Sequence, residues 1–328
     1  MWQMRGETFR KKTRRIIFYK GQVKRVEKGF LDKVCSIVGN DNVSVDEPMK
    51  KHTTFRIGGP ADYYVTPHSG EEAAQVIKAC REWKLPFYIL GNGSNLLVSD
   101  KGFRGVIIQM FKNYSEVSVD GVCVTARAGA LLSKIAKTAL ENNLTGLEFA
   151  AGIPGTLGGA VVMNAGAYGG EMKDVLEEVG VLSGEGEILR LKREELDLGY
   201  RTSVIARKGY IVLEAKMRLQ EGKREAIASR MEELKEKRVS KQPLELPSAG
   251  STFKRPEGNF AGKLIMEAGL RGFSVGDAQV SEKHCGFVVN KGGATALQVR
   301  ELMQEVIRRV EETSGVTLEP EVKMLGEW

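Results

Sequence analysis

Ala151–Gly152–Ile153–Pro154–Gly155–Thr156–Leu157–Gly158–Gly159–Ala160, continuing to Met163–Asn164–Ala165–Gly166–Ala167–Tyr168–Gly169, places six glycines within nineteen residues. Glycine has no Cβ, so successive backbone N–H groups can converge into an anion-binding nest. Two earlier segments repeat the composition. One is Thr53–Thr54–Phe55–Arg56–Ile57–Gly58–Gly59–Pro60–Ala61, the other Leu90–Gly91–Asn92–Gly93–Ser94–Asn95–Leu96–Leu97. Asn and Ser add short donors suited to phosphate oxygens. Any one segment alone reads as a tight turn. Three together read as the holder of a pyrophosphate-bearing, nucleotide-type ligand, whose identity this pattern leaves open. Gly91–Asn92–Gly93 lacks the third glycine of the Rossmann fingerprint, and no segment ends in the Lys–Ser/Thr of a P-loop.

The rest of the chain is built to carry such a site. Its 328 residues suit two or three domains with substantial cores. The net charge of +7 is concentrated at one end: Met1–Lys28 holds ten Lys/Arg against two Glu, a local +8, and the other 300 residues sum to −1. A basic arm on a neutral body can touch nucleic acid or an anionic surface, but its plainer reading is a solvated extension. No nucleic-acid partner is expected. Cys35, Cys80, Cys123 and Cys285 are scattered in or beside apolar stretches, which argues for buried thiols and against a zinc site or disulfide framework. Ile16–Tyr19 is too short for a signal-peptide core, and no apolar run can span a bilayer. A cytoplasmic protein is expected.

Periodicity predicts mixed elements. Val26, Phe30, Val34 and Ile37 mark one face of a first helix ending near Gly39. Ser69 and Glu72 form a capping box for a second helix, which Pro86 keeps from continuing into a short buried strand at Phe87–Leu90. Val117–Ala126 reads as a hairpin around Asp120–Gly121, and Gly180–Leu191 as another turning near Gly184–Gly186. A helix through Leu131, Ile135, Ala136, Ala139 and Leu140 lies between them, and Ile211–Leu219 alternates as a half-buried strand. Arg224–Arg238 reads as a charged helix with an Ile227, Met231, Leu234 stripe, and a domain boundary is placed just before it. A helix around Ala261–Ala268 stops at Gly269. A long helix opens at Thr295 with Gln298 as capping partner, and a final strand is expected over Glu319–Leu325. The class is α+β.

In their order and spacing, the three glycine-rich segments resemble the flavin-binding half of the UDP-N-acetylenolpyruvoylglucosamine reductases. The resemblance continues through Gly199–Tyr200–Arg201–Thr202–Ser203, Ala249–Gly250–Ser251–Thr252–Phe253–Lys254 and Leu318–Glu319–Pro320–Glu321–Val322, and covers Val26 to Leu325. It implies an FAD-binding fold of the vanillyl-alcohol-oxidase/PCMH type in two subdomains plus a C-terminal α+β substrate domain. The implied division is a basic extension over 1–25, an FAD-binding region over 26–222 with a subdomain boundary near 110, and a substrate domain over 223–328. It also implies FAD held by Arg56, Ile57, Gly58, Gly59, Gly91, Asn92, Gly93, Ser94, Asn95, Leu96, Gly152, Ile153, Pro154, Gly155, Thr156, Gly158, Gly159, Asn164, Gly166 and Ala167. The resemblance further implies that NADPH reduces the flavin first. The enolpyruvyl ether of a UDP-sugar then takes up a hydride at its terminal methylene carbon, and the neighbouring carbon needs a proton.

Three positions carry roles from the resemblance. Ser251 matches the proton-delivering serine; Arg201 and Glu321 match the arginine and glutamate flanking the substrate carboxylate. Their chemistry suits those roles: a fixed guanidinium is worth most beside an enolate, a serine donates only to a strong base, and a carboxylic acid helps once burial shifts its protonation. Taken singly, they read as a surface cation, a turn residue and a strand-face acid. Lys241 and His284 match substrate-contacting places, with Lys241 near the diphosphate; Tyr168 and Arg255 are also taken as substrate-binding, although Arg255 stands where other members carry a different polar residue. A solvated lysine or a core histidine is the alternative reading there. No metal is implied, and a monomer is expected. Leu219 leads almost directly into the charged helix, so the chain resembles the shorter subtype of the family, without the inserted tyrosine loop, and the residue that closes over the substrate stays open. Another FAD oxidoreductase of the same fold would share the glycine-rich segments but has no use for Arg201, Ser251 and Glu321 together.

Overall fold

The computed structural model describes residues 28–328. Residues 1–27, which hold the basic arm up to Glu27 and include Val26, lie outside the described residues. Helix α1 (Lys28–Val38) buries Phe30 and Val34 completely. Ser69 caps α2 (Gly70–Glu82) by accepting from Glu72 N–H at 3.1 Å. The expected capping box is only half made. The Glu72 carboxylate reaches one residue further back and accepts from His68 N–H at 2.7 Å.

Between and after these helices lies a four-stranded sheet, in the order Val43–Pro48, Pro60–Val65, Phe103–Gln109, Phe87–Leu90. The first pair is antiparallel and the rest are parallel, with α2 as the crossover. Side chains alternate across the pleat: Tyr63, Val106 and Ile108 face the core shared with α1 and α2, while Tyr64 and Ile107 face a smaller core with Met49, Leu96 and Val98. Phe87–Leu90 forms as expected, but only Leu90 is fully buried because the strand lies at the sheet edge.

A second, all-antiparallel sheet has five strands: Ile188–Lys192, Leu176–Leu182, Ile211–Arg218, Cys123–Arg127 and Val117–Asp120. Both expected hairpins are present. In the second-sheet edge hairpin Asp120 pairs with Cys123, so the two-residue turn is Gly121–Val122, with Gly121 at φ +55°. Helices α3 (Leu132–Glu141), α4 (Leu157–Val162) and α5 (Val204–Lys208) belong to this half.

Helix α6 (Arg224–Lys241) packs against α3, the short strand Leu144–Thr145 and the turn Glu148–Ala150. Its Met231 adds to the large first core. A further core is built by α7 (Ala261–Glu267), α8 (Ala296–Ser314) and a three-stranded sheet of Ser274–Val275, Ala278–Val280 and Val288–Asn290. Thr295 and Gln298 make the full capping box at α8. Asp100, from the N-terminal half, accepts from Ala296 and Leu297 N–H at 2.9 and 3.0 Å.

The chain's end differs from expectation. Only Lys323–Leu325 is strand, and it pairs in parallel with Leu96–Val98. Glu319–Val322 instead runs beside Thr252–Lys254 through an isolated Phe253–Pro320 bridge. Two of the four cysteines are also corrected: Cys80 and Cys285 are buried, but Cys35 and Cys123 are half-exposed. Among the described residues no helix is long and apolar enough to cross a membrane.

Candidate active site

The three glycine-rich segments meet. Thr54 N–H donates to Gly93 O at 3.2 Å, and Asn92 Nδ2 donates to Pro154 O at 2.6 Å. Close packing explains several glycines without a ligand. A Cβ on Gly91 would lie 2.2 Å from Thr156 Oγ1, and one on Gly59 would lie 2.1 Å from Asp100 O. Gly93 adopts φ +64° with His52 O 2.0 Å from its Cβ position, and Gly58 adopts φ +140° between Val98 and Met49. The third segment is different. Gly155 and Gly159 have no neighbour nearer than 3.8 and 4.0 Å and no left-handed backbone. Open backbone that neither packing nor φ requires is the surface a nucleotide cofactor would cover, so the residues present fit FAD.

Several other candidates have side chains buried in a core or bonded within the chain. Ile57 is buried in the C-terminal core with Phe55 and Leu97, and Leu96 is buried in the small core. Arg56 is exposed at φ +56°. Asn95 Nδ2 donates to Glu321 O at 3.2 Å. Asn164 is 1% exposed. Its amide donates to Glu171 Oε2 (2.8 Å) and Gly199 O (3.2 Å) and accepts from Lys173 N–H (2.9 Å), so its side chain is committed to the chain itself.

Arg201 and Glu321 come together although 120 residues apart: Arg201 Nε donates to Glu321 Oε1 at 2.7 Å. Burial holds the Glu321 carboxyl above the ordinary glutamate range, against the pull of Arg201. Glu321 N–H donates to Thr252 O at 2.8 Å, and Thr252 is pinned by Gly286 O and Val288 N–H. Ser251 therefore sits next to a fixed residue, after Gly250 at φ +76°, with an exposed hydroxyl that bonds to no described residue.

A cavity of about 520 Å³ is lined by Arg201, Tyr168, Arg255, Gly166, Ala167 and Asn164, with Tyr200 and the 256–258 turn. Tyr168 tops the two-residue turn between Gly166–Ala167 and Gly170–Glu171 at φ +53°. Arg255 stacks over Phe260 at 4.1 Å. Ser251, Lys241 and His284 are not on this wall. Lys241 ends α6, and its charge joins burial in depressing the His284 pKa, so these two lie near each other. Lys283 Nζ, donating to Val239 O at 2.7 Å, ties their segments together. A second cavity of about 520 Å³ lies beside the first two glycine-rich segments, where Asn92 is joined by Thr53, Thr54, His52 and Gln109.

Sequence reading missed Tyr200 as a bridging group. Its hydroxyl accepts from Arg255 N–H at 3.0 Å, and Arg201 lies against its ring at 5.1 Å. Adjacency to Arg201 was the only local signal, since Arg255 is far away in sequence.

Residues 61–192 match the FAD binding domain family, and residues 242–325 match the UDP-N-acetylenolpyruvoylglucosamine reductase C-terminal domain. A UDP-N-acetylenolpyruvoylglucosamine reductase of Agathobacter rectalis is 58% identical over 86% of this chain and 94% of its own length. The chain belongs to the UDP-N-acetylenolpyruvoylglucosamine reductase family. The reductase of Lachnoclostridium phytofermentans is 56% identical over 90% of this chain and 97% of its own length. The crystal structure of the Thermus caldophilus reductase superposes with a TM-score of 0.75 at 39% identity, covering 86% of this chain and 99% of that one. As a member of this reductase family the chain is an FAD-binding oxidoreductase with the expected α+β fold.

Proposed function

We propose that the chain reduces UDP-N-acetylenolpyruvoylglucosamine to UDP-N-acetylmuramate for peptidoglycan precursor synthesis, with NADPH as electron donor. The observation that supports this most is the Arg201–Glu321 pair at 2.7 Å, with the Glu321 backbone strapped to the residue beside Ser251. FAD, when bound, supplies the two-electron redox chemistry. The backbones of 56–59, 91–96 and 152–159 would hold it, together with Gly166 and Ala167.

The remaining work belongs to side chains. Adding a hydride equivalent to the methylene carbon leaves an enolate next to a carboxylate, two negative charges on one small group. Arg201, half-buried and already oriented by Glu321, stabilises that charge. Ser251 gives its proton to the enolate carbon and completes the product. Glu321, with its proton affinity raised by burial, supports the charge and proton balance around Arg201. Tyr168 and Arg255 shape the cavity wall. Lys241, beside a neutral His284, offers a cation to the substrate diphosphate. In this reading residues 223–328 form the substrate domain, and the enzyme works as a cytoplasmic monomer on small molecules.

An anaerobic absorbance spectrum tests the proposal. The purified protein should be yellow, bleach on NADPH and recover its colour on UDP-N-acetylenolpyruvoylglucosamine. Bleaching without recovery would sink the substrate assignment and favour another FAD oxidoreductase of this fold. A colourless protein that cannot be loaded with FAD would sink the whole reading.

A further inference from the structure

Asn164 stands just past the end of α4, 1% exposed, behind the wall of the cavity that holds Arg201. Its backbone is left-handed at φ +44°, a conformation that asparagine tolerates better than most residues. The chain fixes which way its amide points. Lys173 N–H can meet only the oxygen, so the Nδ2 nitrogen faces Glu171 Oε2 at 2.8 Å and Gly199 O at 3.2 Å.

The bond to Gly199 reaches the turn that carries Arg201. Gly199 O also accepts from Thr202 N–H at 3.3 Å, and Gly199 N–H donates to Thr202 O at 3.1 Å, with Arg201 between them. Next in the chain, fully buried Ser203 donates from its hydroxyl to Val162 O at 2.6 Å. The turn is thus pinned at both ends to residues 162–164. Glu171 completes the unit. Its Oε2 accepts from Asn164 and pairs with Lys173 Nζ at 2.8 Å, while its N–H donates to Asp174 Oδ2 at 2.8 Å. Glu171 lines the same cavity as Arg201. Lys173 first, then Asn164 and the Arg201 charge, hold its carboxyl below the ordinary glutamate range against the push of burial. Glu321 is shifted the opposite way, so an ionised carboxylate stays near Arg201 when Glu321 takes up a proton.

Resting on the proposed function, we infer that Asn164 is a positioning residue for Arg201: its amide, oriented by Glu171, fixes the Gly199–Thr202 turn so that the guanidinium stands where negative charge builds on the substrate. The resemblance implies FAD contact for Asn164, but both of its donated bonds are spent on the chain. Placement of this kind matters, because a shift of about 1 Å in a catalytic group can cost about a hundredfold in rate.

Asn164→Asp tests the inference. It keeps the size of the side chain and the oxygen that accepts from Lys173, and it loses both donated bonds. In isotope-edited NMR spectra of the FAD-loaded protein, the Arg201 Nε–H signal reports the bond to Glu321 with no substrate present. Arg201→Lys identifies that signal by its loss. Solvent exchange at this site should be about tenfold faster in Asn164→Asp. In stopped-flow traces, flavin reoxidation by the enolpyruvyl substrate should slow about ten- to hundredfold, while reduction by NADPH and FAD affinity stay within about threefold. In an Arg201→Ala background the same substitution should cost less than about twofold, since the group it positions is gone. Unchanged Nε–H exchange with reoxidation within about threefold of wild type overturns the inference. Equal slowing of both half-reactions with weaker FAD binding overturns it too, and makes Asn164 a cofactor contact. Glu171→Gln keeps the shape and the backbone bonds, so it carries the same readouts if Asn164→Asp does not fold. Faster Nε–H exchange in the variant, alongside a wild type that the enolpyruvyl substrate cannot reoxidise, would support the positioning role and overturn the functional reading alone.

Discussion

Arg201 donates to Glu321 at 2.7 Å from a backbone at φ +54°, a left-handed conformation that side-chain-bearing residues seldom adopt. Its neighbours hold it there. Gly199 and Thr202 exchange backbone hydrogen bonds around it, and Tyr200 is fastened to Arg255. Strain kept in place by surrounding contacts is the mark of a residue whose orientation matters. The pair also joins the two halves of the molecule, because Glu321 belongs to the segment that closes on Asn95 and Thr252.

Removing Arg201 should therefore cost stability in a pH-dependent way. Glu321 already has a raised pKa, so its folded form is favoured while protonated and loses ground as pH rises through that pKa. Without Arg201 this loss deepens. Arg201→Ala should destabilise by about 3 kcal/mol at pH 8 and by clearly less at pH 5. Urea melts at the two pH values check this; equal losses would mean that the ion pair is not the source.

Ser251→Ala should leave flavin reduction by NADPH near normal and slow reoxidation by the enolpyruvyl substrate by about 10²–10⁴-fold. Stopped-flow traces of the two half-reactions decide it. Equal damage to both halves would assign Ser251 a structural role.

Lys241 and His284 offer a spectroscopic test. Burial first, and then the Lys241 charge, depress the imidazole pKa. Lys241→Gln should raise the His284 pKa, read from its ring proton shifts in an NMR titration. For a depressed base the associated stability is present above the unfolded pKa and is lost as pH falls through the folded one. The variant should accordingly lose less stability on acidification. An unmoved His284 titration would separate the two residues.

Gly93 and Gly159 should respond in opposite ways to alanine. At Gly93 the Cβ meets His52 O at 2.0 Å with φ +64°, so Gly93→Ala should destabilise by about 2–3 kcal/mol. At Gly159, inside α4, the space is open, and Ala should be neutral or stabilise by up to about 1 kcal/mol. If that backbone faces the cofactor, Gly159→Ala should nevertheless weaken FAD binding several-fold. Thermal melts and FAD titrations together check both, and unchanged FAD affinity would remove Gly159 from the cofactor surface.

Local chemistry was legible in the residues alone. Ser69, Thr295 and Gln298 announced helix starts, alternation marked Ile211–Leu219, and Asp120–Gly121 and Gly184–Gly186 marked the hairpins. These signals act over a few residues, where a cap or a turn is decided by neighbours in the chain. Composition likewise pointed to a nucleotide ligand at the glycine-rich segments. Tertiary structure decided what each residue of that pattern is for. Gly91 and Gly93 make room for Thr156 and His52 O, Gly152 makes room for Arg238, and Gly155 and Gly159 are left open. It also decided that Glu319–Val322 would run beside Thr252–Lys254 and not extend the final strand, and that Glu321 would find Arg201. Partners separated by tens to hundreds of residues meet only when the cores close. Until then a clash-avoiding glycine and a ligand-facing one look the same in the chain.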